Sequence, residues 1–142
     1  MGITFQVAVQ NIVLTEDEKI KVSYDPIFHP EYPSDENPFT LSVSLSNGLD
    51  ILKYVDSDTD PSEDGCGFLE PQKLIHAILE QRHIIETIPE LDAARAWEVD
   101  SEVGRATVIH CGRMKGWWDR RLSQLLIIAE AARDNEGIVM WY

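Results

Sequence analysis

Residues 3–9, ITFQVAV, alternate apolar and polar side chains, the period of a strand with one face in a core. KIKVSYDPIF, 19–28, repeats that alternation more weakly and is predicted as a second strand ended by Pro26. HPEYPSDENP, 29–38, holds three prolines and reads as loop. FTLSVSLS, 39–46, sets Phe39, Leu41, Val43 and Leu45 against Thr and Ser, which predicts a half-buried strand. It runs into a short helix carrying Leu49, Ile51, Leu52 and Val55, with Ser46 or Asn47 as its N-cap. A solvated acidic loop follows at 56–65.

Pro71 suits a first helical turn, so a helix is predicted from Glu70-Pro71 to about Ile88, with Leu74, Ile75, Ile78, Leu79 and Ile85 inward and Pro89 as its stop. RATVIH, 105–110, is a short β-branched strand. Over 117–135 the positions Trp118, Leu122, Leu125, Leu126, Ala129 and Ala132 form one helical stripe, closed by Gly137 as the expected C-cap. IVMW, 138–141, reads as a strand buried on both faces. Strand, helix and strand with short joints predict a right-handed βαβ unit with parallel strands. The expected fold is α/β or α+β: one small domain over 1–142, a mixed sheet packed by two to three helices and ending in that unit. Residues 1–38 form its β-rich N-terminal part.

Composition changes this picture little. A chain of 142 residues, 44% hydrophobic, is large enough to bury a core without staples. No stretch approaches the ~20 apolar residues of a membrane span, and the N-terminus lacks the pattern of a secretory leader. The chain is therefore expected to be cytoplasmic. Two cysteines outside any CxxC pair fit a reducing compartment.

Charge changes it more. The net charge is −13. Residues 1–102 hold 21 acids and 6 bases, giving −15, and residues 103–142 hold 4 and 6, giving +2. General nucleic-acid binding is disfavoured, because phosphate recognition needs displaced counterions and hence Lys and Arg. Against this background HCGRMKGWWDRRL, 110–122, stands out: residues 105–121 hold five bases and one acid.

That turn lies where ligands gather in α/β sheets, past a strand's carboxyl end and at the next helix's N-terminus. Gly112 and Gly116 let a ligand approach the backbone, and Cys111 belongs to the same candidate binding turn. Arg113, Lys115, Arg120 and Arg121 supply charge, and Trp117 supplies a flat surface. Ser46 and Asn47, at the other strand-to-helix joint, complete the polar set if the two strands run parallel. The competing reading pairs these bases with the protein's own carboxylates and makes the tryptophans packing.

Other constellations are weaker. Asp56, Asp58 and Asp60 match the start of an EF-hand loop, but Pro61 and Gly67 stand where glycine and glutamate are required. His76 and His83 are two helical turns apart, too far to share a metal. No metal or cofactor is expected. Cys111 has an electropositive setting for a nucleophile, yet His110 points to the opposite strand face.

LSVSLSNGLDIL, CGFLEP, IHCGRMKGWWDRRLSQLLIIAEAA and the terminal VMWY resemble a loose group of short proteins of actinobacteria and their phages that has no established activity. The resemblance covers about 40–142. It rests on Cys66-Gly67, Cys111-Gly112-Arg113, Gly116, Trp117 and Arg121-Leu122, with tyrosine more usual at 117. It implies a provenance rather than a chemistry, with the bacterial host's cytoplasm as location if phage-encoded.

Three function classes follow. The first is a non-catalytic binder of a small anionic, nucleotide-like ligand, one form of which is a phage anti-defence protein that sequesters a signalling nucleotide. The second is an acidic inhibitor or immunity protein that docks on a basic partner such as a nuclease. The third is a small cysteine-dependent enzyme. A homo-oligomer is compatible with each.

Overall fold

The longest strand organises the chain. A computed structural model describes residues 2–32, 36–56, 65–86, 95–101, 104–110, 112–113 and 116–142. In it β1 runs over Gly2–Leu14, five residues past the predicted end, because its second half pairs antiparallel with β2, Ile20–Pro26. The first half pairs antiparallel with β3, Thr40–Ser44, on the same edge. Val7 is the switch between the two: its N–H donates to the Phe39 carbonyl at 3.2 Å and its carbonyl accepts from Ile27 at 2.9 Å. The opposite edge of β1 takes the last strand, Ile138–Trp141, which pairs in turn with a short strand at Gly67–Leu69.

In chain order the remaining elements are α1 (Leu45–Val55), β4 (Gly67–Leu69), α2 (Pro71–Glu86), β5 (Arg95–Ser101), β6 (Gly104–His110), α3 (Trp117–Asp134) and β7 (Ile138–Trp141). This is a small α+β domain with an antiparallel open sheet and three helices among the described residues. No described helix is long and apolar enough to cross a membrane.

Two parts of the expected topology are corrected. Among the described residues all pairings in the main sheet are antiparallel, which replaces the expected mixed sheet. The strand at 105–110 lies outside that sheet: β6 pairs antiparallel with β5 in a separate hairpin, so β6, α3 and β7 do not form a βαβ unit. The local signals are right, but the chain between α2 and β6 supplies a partner strand that RAWEVDS did not announce.

Register places Ile3, Phe5, Val7, Leu41, Val43, Leu69, Val139 and Trp141 on one face, all buried against the helices. β7 is buried on that face only, since Ile138 and Met140 are half-exposed. From α1, Ile51 and Leu52 close the core; from α2, Leu74, Ile75 and Ile78 do. Leu79, expected inward, is exposed, and the Ile85 side chain and Pro89 lie outside the described residues. The Glu70 carboxylate caps α2, accepting from the Gln72 and Lys73 N–H groups at 3.0 and 2.8 Å. The α3 stripe is as expected, with Leu126 partly buried and Ile128 and Ala131 added.

The end of α3 differs from expectation in an informative way. Glu136, not Gly137, takes the left-handed backbone at φ 53°. Gly137 donates to the Ala132 carbonyl and Glu136 to that of Arg133, the paired bonds of a Schellman end. What requires glycine at 137 is close approach to β1, since a Cβ there would stand 2.3 Å from the Ala8 carbonyl oxygen, a backbone atom that cannot step aside. Gly137→Ala is therefore expected to destabilise by about 2 kcal/mol. Gly137→Asn should cost no less, although a capping position would tolerate it. Urea midpoints of the two variants check this.

Candidate functional site

The basic turn starts after β6. Gly112 at φ 93° and Gly116 at φ 79° take left-handed backbone that side chains resist, so the two glycines set its path. Gly116 is the N-cap of α3 and accepts from the Arg120 N–H at 3.1 Å. Between the glycines Arg113 turns inward. Its Nε donates to Asn47 Oδ1 at 3.0 Å, and its Nη2 to Asp50 Oδ2 at 2.5 Å. Its guanidinium carbon lies 4.4 Å from the Trp117 ring centre and 4.8 Å from that of Trp118.

Those two rings stand perpendicular with centres 5.1 Å apart, and Tyr54 meets Trp118 edge-on. The Arg113 side chain is 1% exposed and Asp50 14%. Arg113 is thus a buried cation in an aromatic box, neutralised by a carboxylate of α1. Loss of either partner would strand the other charge away from water.

The two strand-to-helix joints do converge, through Asn47 and Arg113, but not through parallel strands. β3 belongs to the main sheet and β6 to the hairpin. α1 also starts earlier than expected, with Ser44 at the cap position and no side-chain cap bond. Asn47 therefore sits inside the helix, where its amide oxygen is available to Arg113, and Asp50 follows three residues later on the same helical face. Asp50 was the missed member. Its signal was that i, i+3 spacing from Asn47 on a helix beside a cationic turn.

The other candidates scatter in role. Ser46 is buried, its hydroxyl 3.4 Å from that of Ser44. Trp117 is buried as part of the box. Arg120 is exposed. Arg121 donates Nη1 to Gln124 Oε1 at 2.7 Å and lies 5.9 Å from the Trp117 centre, with its Nε buried and without a partner among the described residues. Cys111 and Lys115 lie outside the described residues, as do Asp58 and Asp60. No group of three metal-ligating side chains occurs among the described residues. Cys66 is a free, exposed thiol.

Two cavities lined by described residues lie elsewhere. One, of about 360 Å³, is bordered by Val55, Asp56, Phe68, Glu70 and Lys73 at the start of α2. Glu70 already caps that helix end, so its N–H groups offer nothing further to an anion. The other, of about 390 Å³, lies between Asn37, Thr40 and Gln124.

A second surface was not singled out from the sequence. Beyond Gln10, β1 and β2 leave the core as a two-stranded arm. Register puts Ile12 opposite Val22 and Leu14 opposite Ile20, hence all four on one face. They are 67%, 45%, 70% and 69% exposed. Nearer the core that face is closed by Tyr24 and Phe68, whose ring centres meet at 4.3 Å over β1 and β7, where Gln6 and Ala8 of β1 are buried. Glu16, Asp17 and Glu18 form the arm's tip.

Searches of protein-family models, curated proteins and solved structures find nothing that matches this chain.

Asp50→Ala is expected to lower stability by about 3–5 kcal/mol, the cost of leaving a buried guanidinium unpaired. The double variant Arg113→Met with Asp50→Leu should recover most of that loss, because it removes both charges. Chemical denaturation of the three proteins measures the difference.

Proposed function

We propose that this chain is a non-catalytic, acidic binding protein that docks on a basic protein, in the manner of an inhibitor or immunity protein against an enzyme such as a nuclease. The observation that carries this reading is the exposed apolar quartet Ile12, Leu14, Ile20 and Val22 on an arm tipped with three acids. Contiguous apolar surface of this kind is what soluble proteins reserve for partners. Full burial of such side chains contributes about 1.5–3 kcal/mol each before the costs of association.

Charge supplies direction. Four acids and two lysines lie between residues 10 and 28, within a chain of net −13. A negative field of that size steers a basic partner toward the arm and repels nucleic acid. Within the cationic turn, Arg113 is matched by Asp50 inside the protein and adds nothing to the outer field.

A small-anion reading keeps one supporting observation. The Nε of Arg121 is buried without a partner among the described residues, beside Trp117 in the stretch that holds the local excess of bases. A nucleotide-like ligand, including a signalling nucleotide held by a phage-encoded sponge, would satisfy it.

The two readings separate by experiment. A partner captured from host extract at low salt should be basic, should dissociate as salt rises, and should be lost in Ile12→Ser with Ile20→Ser while melting temperature stays unchanged. Retention by that arm variant would reject the docking reading. Nucleotides that raise the melting temperature of wild type but not of Arg121→Ala would establish the second reading instead.

A further inference from the structure

β2 is the outermost strand of the main sheet on its side, and its outer edge is chemically specific. In an antiparallel ladder, alternate residues turn their N–H and C=O toward the neighbour. Thr15 donates to Lys19, and Ile27 donates to Val7, which fixes the odd residues of β2 as those facing β1. The peptide groups of Ile20, Val22 and Tyr24 therefore point away from the sheet. None of them has a hydrogen-bond partner among the described residues. Pro26, the next outward position, has no N–H to offer, which is how a proline fits in this strand and where the free edge ends.

We propose that this edge pairs with the same edge of a second copy, antiparallel about a two-fold axis, so that β1-β2 of one copy and β2-β1 of the other form one continuous four-stranded ribbon. Self-pairing of identical edges is the isologous contact that a closed dimer requires. With Val22 opposite Val22 of the second copy, Ile20 meets Tyr24 of that copy and the reverse. The three outward donors of each copy then all find carbonyls, six hydrogen bonds in all.

The charges agree with this register. On the arm's other face Lys19 comes opposite Asp25 of the second copy at both ends, and Lys21 opposite Ser23. On the first face the two quartets join into one apolar surface. The contact uses main-chain edges, whereas the docking surface proposed above uses side-chain faces, so either holds without the other. Net charge opposes any self-association of this chain, so dimerisation should strengthen as salt screens that repulsion. Docking on a basic partner should weaken instead.

Sedimentation velocity of the full chain over a concentration series tests the proposal. Wild type should show a reversible monomer–dimer equilibrium, tighter at high salt. Val22→Pro removes an outward N–H and no bond to β1, so it should leave the melting temperature nearly unchanged and weaken the dimer at least tenfold. Lys19→Glu should weaken it as well, and Lys19→Glu with Asp25→Lys should restore it. A wild type that stays monomeric at millimolar concentration in high salt overturns the proposal. So does a dimer unchanged by Val22→Pro. If Val22→Pro unfolds the chain, the charge pair decides: failure of the double exchange to restore what the single one loses overturns the proposal.

Discussion

Everything in this protein hangs on the two edges and two faces of β1. One edge is divided at Val7 between β3 and β2, and the other is taken by β7. Its odd side chains Ile3, Phe5 and Val7 enter the core under the helices. A strand this long cannot be covered throughout by a domain this small. The part beyond Gln10 keeps its hydrogen bonds to β2 but has no helix above it. That is why a strand whose first half is buried carries exposed Ile12, Val13 and Leu14 in its second.

How much of this was legible in the sequence depended on whether the signal was local. The stripe of α3 and the proline start of α2 were readable because each reports on its own few turns. β4 and β5 were not. GFL is too short to show a period, and RAWEVDS is a strand in a pairing with β6 that its own pattern does not announce. The parallel βαβ prediction failed for the same reason: periodicity says that a segment is a strand, and nothing in it says which strand lies beside it. Sheet membership is a property of the whole chain.

The candidate site was legible in position and misread in direction. Arg113 and Asn47 do come together, 66 residues apart in the chain. The sequence suggested that they face outward, but Asp50, Trp117 and Trp118 draw the guanidinium inward. A string of bases at a helix start cannot by itself distinguish a ligand site from an internal ion pair. The deciding residue was an acid on another element, and local pattern does not report such a pairing.

Charge placement shows how two arginines of so acidic a chain are used. Arg113 with Asp50, and Arg82 with Asp119 between α2 and α3, each sum to zero. Two charges a few ångströms apart have almost no field beyond a Debye length of about 8 Å. Cations used this way fasten α1 to the start of α3, and α2 to α3, without reducing the negative field of the exposed acids. Arg113 does this from the interior and Arg82 from a half-exposed position, while the apolar side chains of helices and sheet form the core beneath an exterior that stays acidic.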